Sequence, residues 1–234
     1  IMAISIDTVY QRVLAIANKE QRGYITPQEF NLFANQAQMD IFEQYFYDLN
    51  QFLRIPGNDT EYSDMVNILE EKINIFETSA NLDNTYSSFN GGFNTSTVAN
   101  IYRIGSLDFR GVEMEKIEHK EFNSINRSPL TKPTLDRPIY YMKDISIFVR
   151  PSSITEGVNI NFIRRPSNVA WGYVVQNGKA LYNASRSTNF ELHDSEETDL
   201  VMKILALAGI TMEEQLLYQA ASQEDMKNTQ QEKQ

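Results

Sequence analysis

The sequence predicts an α+β protein in which helices at both ends of the chain pack as a helical bundle with a central, mostly antiparallel β region. Three observations predict this class. Apolar residues recur at helical spacing near the N-terminus and again after residue 193. Short apolar runs with alternating character, separated by turn residues, lie between residues 98 and 163. Hydrophobic residues make up 41% of the 234 residues, which is enough for one or two packed structural domains.

A long helix over residues 27–53 is the clearest local prediction. Thr26 stands at the N-cap, Pro27 takes the first helical position, and Glu29 completes a capping box. Pro56 and Gly57 follow the segment and would end it.

Two shorter helices complete an expected helical part over residues 1–80. Asp7 is a candidate cap for a first helix that ends near Asn18, before the helix breaker Gly23. A third helix is predicted from about residue 63 to residue 73, with apolar residues at helical spacing.

The aromatic residues of the long helix do not fit on one stripe. Phe46 and Tyr47 lie well around the helix from Phe30, so one face would be core and the other aromatics would face something else. Two interpretations stay open. The helix is buried on most sides by its own domain, or Phe46 and Tyr47 contact a neighbouring subunit.

A polar, Gly-containing segment runs from Thr78 to Thr97, and residues 81–97 are expected to form a long loop. Three aromatic residues are set into it, and they indicate that the loop is ordered against a partner. They are Tyr86, Phe89 and Phe93.

A β-rich region is predicted over residues 98–192. The candidate strands cover residues 98–109, 139–142, 145–150 and 158–163, and the turn at Lys143-Asp144 would join the middle two. Residues 112–125 are a candidate short helix, and the Pro-rich segment 129–138 is a rigid connection that cannot be a central strand.

The C-terminal helices are predicted over residues 193–222. Asp194 and the two residues Glu196-Glu197 place negative charge at a helix N-terminus, and Gly209 would end that helix. A second helix would begin at Met212, and residues 223–234 form a polar tail.

Composition excludes several classes of function. The chain has no Cys, so it has no disulfide framework, thiolate nucleophile or Cys-ligated zinc, and its two His are too few for a His-rich metal centre. The net charge of −10 disfavours nonspecific attraction to nucleic acid or anionic lipid. The most apolar stretch, residues 204–210, is far shorter than the roughly 20 residues that cross a bilayer, so no membrane span is expected.

The best enzyme-like cluster surrounds His193 and the acidic residues after it. A His beside carboxylates can serve as an acid/base pair or a metal site, but an acidic run at a helix start is more often a cap and a solvated first turn. Glu70-Glu71 and Glu196-Glu197 cannot each flank one bond, because neighbouring residues on a helix point about 100° apart. Arg164 and Arg165 are candidates for pairing with carboxylates of a neighbouring subunit. The sequence therefore predicts no catalytic residue, cofactor or metal.

Scattered short matches, in order from about residue 8 to residue 210, resemble structural proteins of tailed bacteriophages, and in particular the neck (head-to-tail connector) proteins of short-tailed phages of the crAss-like type. The segments that carry the resemblance are Ile25-Thr26-Pro27-Gln28-Glu29-Phe30-Asn31, His119-Lys120-Glu121-Phe122, Ser128-Pro129-Leu130, Arg137-Pro138-Ile139-Tyr140, Trp171-Gly172-Tyr173-Val174-Val175, Thr188-Asn189-Phe190-Glu191-Leu192-His193 and Ser195-Glu196-Glu197.

The resemblance implies a virion protein that forms a ring of typically twelve copies below the portal, through which genomic DNA passes without specific binding. It also implies α+β architecture, and it implies no catalytic residue. A protein of this kind is made in the host cytoplasm and resides in the virion. Residues of the C-terminal segment would dock to the portal or to other neck and tail proteins, the candidates being Met212, Leu216, Leu217 and Tyr218.

Two other functions fit the residues less well. A peripheral tail adaptor that faces the host would present the aromatic loop to a glycan or receptor. A virion-associated cell-wall hydrolase would need two carboxylates at working separation in a cleft.

Overall fold

The computed structural model describes residues 3–19, 25–54, 60–87, 91–211 and Lys227. The chain has α+β architecture, as predicted, with helices toward both ends and sheets in the middle. It divides into two compact units. The helical unit comprises residues 1–75 and 166–234, and the sheet unit comprises residues 76–165.

The described helices and strands are numbered in chain order. The helices are α1 (Ile6–Lys19), α2 (Pro27–Arg54), α3 (Thr60–Asn74), α4 (His119–Arg127) and α5 (Glu197–Thr211). The strands are β1 (Glu77–Asn81), β2 (Tyr86–Ser87), β3 (Gly92–Asn94), β4 (Ile101–Phe109), β5 (Val112–Glu113), β6 (Glu115–Lys116), β7 (Ile139–Lys143), β8 (Ser146–Arg150), β9 (Val158–Arg164), β10 (Tyr173–Gln176) and β11 (Lys179–Tyr182).

The predicted capping box starts α2. The backbone N–H of Thr26 donates to Glu29 Oε2 at 2.9 Å, and the backbone N–H of Glu29 donates back to the Thr26 hydroxyl at 3.3 Å. Hydrogen bonds from the Thr26 hydroxyl and N–H hold the pKa of the Glu29 carboxyl below its usual value. Phe30, one residue later, is fully buried, so the cap directs the apolar face of α2 into the core.

The predicted cap of α1 is wrong. The helix begins at Ile6, and Ser5 caps it by accepting a hydrogen bond from the N–H of Thr8 at 3.4 Å. Asp7 lies in the first turn instead, where its carboxylate accepts a hydrogen bond from the indole Nε1–H of Trp171 at 2.9 Å.

The core of the helical unit lies between α1, α2 and α5. Val9 and Val13 of α1 are fully buried, as are Phe42 of α2 and Leu200 and Ile204 of α5. The prediction that Gly209 ends the last helix is wrong, because α5 continues through it to Thr211. The predicted second C-terminal helix from Met212 and the polar tail lie outside the described residues, apart from Lys227.

A row of side-chain amides on α2 holds the segment of residues 167–171. Three amides spaced three or four residues apart face this segment and bond to the backbone of every second residue, in the way that a neighbouring strand would. The hydrogen-bonded pairs are Asn31 with Trp171 (2.7 and 3.4 Å), Asn35 with Val169 (2.9 Å in both directions) and Gln38 with Ser167 (2.9 Å). These side-chain amides therefore take the place of strand pairing for this segment.

The sheet unit contains two sheets. One has the strand order β1-β9-β4-β5 and is antiparallel throughout. The other has the order β2-β3-β8-β7-β6, with β6 parallel to β7 and the other pairs antiparallel. Apolar residues from both sheets, including Leu107, Ile147 and Ile160, form one buried cluster. Helix α4 packs on the second sheet through Phe122, and the centre of its ring lies 4.4 Å from the ring centre of Tyr141.

Two predictions for the sheet unit need correction. Residues 81–97 are not a plain loop, because the segment from residue 77 to residue 97 carries β1, β2 and β3. Polar residues suffice for β1, which is an exposed edge strand. The candidate helix at residues 112–125 contains the short strands β5 and β6 before α4 begins at His119.

The predicted β-rich region 98–192 crosses the boundary between the two units. The chain returns to the helical unit at residue 166, so the antiparallel hairpin of β10 and β11 belongs to the helical unit. Its turn has positive φ at Asn177 (51°) and at Gly178 (74°), the conformation that an Asn-Gly hairpin turn adopts.

Candidate functional site

The enzyme-like cluster, which comprises His193, Asp194, Glu196, Glu197 and Asp199, begins with a helix cap at residues 193–196. His193 Nδ1 accepts a hydrogen bond from the N–H of Ser195 and lies 2.9 Å from its Oγ, and Ser195 Oγ donates to Glu196 Oε1 at 3.3 Å. In a Ser-His-acid triad the imidazole bridges the serine and the acid through its two nitrogens. Here the serine lies between the other two side chains, so the arrangement caps the turn that precedes α5 and does not form a triad.

The acidic run also contributes a buried ion pair. Glu196 Oε1 lies 2.5 Å from Lys72 Nζ of α3, and the two side chains are 7% and 15% exposed. The same ammonium lies 5.6 Å from the centre of the Tyr45 ring of α2. The ion pair therefore joins α3 to the turn before α5, and the Lys72 ammonium also contacts α2, so Glu196 has a structural role.

Helix α2 exposes part of the aromatic excess that the sequence indicates. Tyr47 is 64% exposed, while Phe46 is half-buried against Phe42, with ring centres 5.1 Å apart. Leu32 is 71% exposed and was missed in the sequence. It lies fifteen residues before Tyr47, about 60° around the helix at about 100° per residue, so both side chains lie on one side of α2.

The aromatic residues predicted to contact a partner from the loop are placed differently. Phe93 is fully buried in the core of the sheet unit, so the prediction that it contacts a partner is wrong for this structure. Tyr86 is half-buried and packs against Phe93, with ring centres 5.2 Å apart. Phe89 lies outside the described residues.

The two candidate arginines contact aromatic rings of their own unit. The Arg164 guanidinium lies 5.8 Å from the centre of the Phe76 ring, and that of Arg165 lies 5.8 Å from the centre of the Tyr102 ring. Arg165 is exposed and Arg164 is half-buried. The candidate portal contacts Met212, Leu216, Leu217 and Tyr218 lie outside the described residues.

The β10–β11 hairpin presents an apolar surface that the sequence interpretation missed. Four of its side chains are 40–64% exposed: Val174, Val175, Leu181 and Tyr182. The signal was present in the sequence, because Asn177-Gly178 between apolar runs is typical of a two-residue hairpin turn.

Trp171 anchors this hairpin to the helical unit. The centre of its ring lies 4.2 Å from the ring centre of Tyr10 of α1 and 5.8 Å from the ring centres of Tyr173 and Tyr182 at the base of the hairpin. The next residue, Gly172, lies so close to the Arg186 backbone that an added Cβ would be 2.5 Å from the carbonyl carbon and oxygen. A glycine is therefore required at the position just before β10.

An apolar groove lies between α1 and α5. It has a volume of about 280 Å³ and is lined by Arg12, Ala15 and Ile16 from α1 and by Thr198, Val201 and Met202 from α5. Ile16 is 39% exposed. Arg12 forms an ion pair with Glu197 at 3.1 Å, so its charge has a partner on α5.

These surfaces suit contact with another macromolecule. No group of three or more His, Asp or Glu side chains that could hold a metal ion occurs among the described residues. None of the helices in the described part of the chain is long and apolar enough to span a bilayer. No family model matches the chain, and no curated protein matches it.

Proposed function

We propose that this protein is a structural subunit of a bacteriophage virion, which forms a ring in the neck below the portal and serves as an adaptor and DNA conduit. Two lines of support are independent of each other. The first is the resemblance of scattered segments, between about residue 8 and residue 210, to neck proteins of short-tailed phages. The second is the presence of exposed apolar surfaces on the helical unit.

The observation that carries the proposal is that the helical unit has two unlike apolar surfaces, the β10–β11 hairpin and the groove between α1 and α5. Identical surfaces that pair with each other close a dimer, whereas unlike surfaces join copies head to tail and form a ring when the rotation closes. A chain that has two unlike surfaces is therefore suited to a ring.

Charge supports a conduit that does not hold the genome. Each copy has a net charge of −10. Twelve copies would bring on the order of a hundred negative charges around a duplex that itself carries about one charge per 1.7 Å. Repulsion would keep the DNA away from the wall of the ring, so that the genome can pass without sequence-specific contacts.

We further propose that residues 212–234 dock to the portal or to another neck protein. This segment contains Met212, Leu216, Leu217 and Tyr218 and is otherwise largely polar. Protein lacking residues 212–234 should keep the far-ultraviolet circular dichroism spectrum of a folded α+β protein and should lose binding to purified portal. Unchanged portal binding would contradict the docking role and would leave the ring proposal in place.

The proposed location can be tested with gold-labelled antibody against this protein, imaged by electron microscopy on intact and tail-disrupted particles. Label at the portal vertex that appears only after disruption is the expected result. Label on peripheral fibres would favour a host-facing adaptor, and particles without label would contradict a virion role. Antibody against a major head protein controls for access of the label.

A further inference from the structure

We propose that copies of this chain join head to tail, with the β10–β11 hairpin of one copy lying in the α1–α5 groove of the next. The inference deepens the proposed function and rests on it, since a ring subunit must contact copies of itself. It assigns the donor and the acceptor surface of that contact.

The hairpin has the character of an inserted arm. A two-stranded hairpin alone is at best marginally stable in water, and this one has apolar side chains on both of its faces. Val174 lies opposite Leu181 on one face, and these side chains are 46% and 49% exposed. Val175 lies opposite Ala180 on the other face and is 64% exposed. Apolar side chains on both faces favour insertion between two elements over lying flat on one surface.

The groove has the complementary character. Its lining is mainly apolar, and the guanidinium of Arg12, which also lines it, is already paired with Glu197. Its volume of about 280 Å³ lies just below the usual range for small-molecule sites, which is about 300–1,000 Å³. A groove of this size and lining fits one or two aliphatic side chains, such as that of Val175.

The charges of the two surfaces have opposite sign. Lys179 is the one charged residue among residues 173–182, which gives the hairpin a charge of +1. Seven charged side chains lie on the first two turns of α5 or beside them, with three positive and four negative charges, and their sum is −1. They are Arg12, Lys72, Asp194, Glu196, Glu197, Asp199 and Lys203. The turn of the hairpin is therefore attracted to the start of α5, which lines the groove.

The base of the hairpin and the groove lie on opposite sides of α1. The base of the hairpin is held through Trp171 by Asp7 and Tyr10, whereas Arg12 and Ile16 belong to the groove. Asp7 and Ile16 are nine residues apart, which is about two and a half helical turns at 3.6 residues per turn. Opposite placement gives each copy one neighbour on each side, as a head-to-tail array requires.

A photo-cross-linking probe at the groove tests this contact. We would replace Ile16 with benzoylphenylalanine in the full-length chain, mix ¹⁴N-labelled and ¹⁵N-labelled protein, irradiate the mixture and identify the linked peptides by mass spectrometry. The expected product joins position 16 of one copy to residues 173–182 of a copy with the other isotope. A probe at Leu32, which is exposed on α2, serves as the control and should not show this product.

A pair of hairpin variants provides a second readout. Val175→Lys places a charge on the apolar surface and should weaken self-association at least tenfold in sedimentation velocity. Gln176→Lys makes the same change in charge at the next, polar position and should leave self-association within twofold of wild type. Equal effects of the two variants would contradict the proposed contact, and so would a protein that remains monomeric at every accessible concentration.

Other cross-links overturn the inference in distinguishable ways. A link from position 16 to residues 212–234 of the same copy would assign the groove to the chain's own C-terminal segment. A link to any other surface of a second copy would assign a different interface. In either case, antibody label at the portal vertex would still support the proposed function. A hairpin–groove link without label on particles would support the contact and contradict the neck role.

Discussion

The substitution Asn35→Asp tests how the row of side-chain amides on α2 holds the segment of residues 167–171, because it replaces only the side-chain NH2 with an oxygen. The Oδ1 of Asn35 accepts from the Val169 N–H and its Nδ2 donates to the Val169 carbonyl, both at 2.9 Å, and Nδ2 also donates to the Asn31 carbonyl at 2.7 Å. Asn35→Asp keeps the size and the acceptor but replaces both donated hydrogen bonds with a carboxylate oxygen that faces two carbonyl oxygens. The change therefore tests the hydrogen bonds without creating a cavity.

The expected cost follows from those contacts. Val169 is 2% exposed, so its carbonyl cannot turn to water for a replacement partner. A buried polar group left unsatisfied costs about 1–3 kcal/mol, and a second lost hydrogen bond adds about 1 kcal/mol. We expect Asn35→Asp to lower the free energy of unfolding by about 3 kcal/mol, which corresponds to a fall in Tm of about 6–12 °C for a chain of this size.

The destabilisation by Asn35→Asp should depend on pH in a predictable direction. The two facing carbonyl groups disfavour the charged form of the introduced carboxyl, so its pKa should be higher in the folded protein than in the unfolded chain, where it is about 3.9. A group with a raised folded pKa binds more protons in the folded state, so the destabilisation should shrink as the pH falls toward and below that folded pKa. The protonated carboxyl can again donate to a carbonyl oxygen.

Urea unfolding at several pH values, followed by fluorescence of the single tryptophan, measures this effect, because Trp171 is 3% exposed in the helical unit. Asn50→Asp is the matched control. Asn50 also lies on α2 and donates to the carbonyl four residues earlier at 2.7 Å, but it is exposed. If Asn35→Asp and Asn50→Asp differ by less than about 0.5 kcal/mol, the amide row contributes no more than surface hydrogen bonds do.

Three further predictions concern single contacts. Lys72→Met leaves the buried Glu196 carboxylate without its ammonium and should cost about 3 kcal/mol in urea unfolding, whereas replacing both residues by apolar ones should cost less than the sum of the single changes. Gly172→Ala forces a Cβ against the Arg186 backbone and should cost about 1–3 kcal/mol and also weaken self-association, measured by sedimentation; a fully stable, associating variant would contradict the close approach. The pKa of Glu29 is lowered in the folded protein, so the stability that its carboxylate contributes is present above pH 4.5 and is lost as the pH falls through the folded pKa. The difference in unfolding free energy between wild type and Glu29→Gln should therefore shrink below pH 4.5. A difference that stays constant with pH would contradict the capping role.

Local signals made the long helix predictable. The capping box and the Pro56-Gly57 pair lie within a few residues of the ends of α2 in the sequence, so neither signal depends on distant parts of the chain. Strands β7, β8 and β9 were also close to prediction, because their apolar residues alternate and neighbouring turn residues bound them.

The missed strands depend on distant partners. Strand β1 pairs with β9, about 80 residues later, and as an exposed edge strand it has no apolar alternation to mark it. The segment of residues 167–171 is held by amides of α2, more than 120 residues earlier in the chain. Composition does not change where the chain returns to the helical unit, so the predicted β-rich region ran past residue 165.

Sequence spacing also cannot decide which apolar residues belong to the core. Val13 and Ile16 share the helical spacing of α1, yet Val13 is fully buried and Ile16 is 39% exposed and lines the groove. The apolar stripe of α1 is therefore wider than its own unit covers. The hairpin has the same excess, since apolar side chains occupy both of its faces where one covered face would suffice. Burial of exposed apolar area lowers the free energy of a complex. The exposed apolar side chains of the hairpin and those of the groove therefore favour contact between these two surfaces of neighbouring copies.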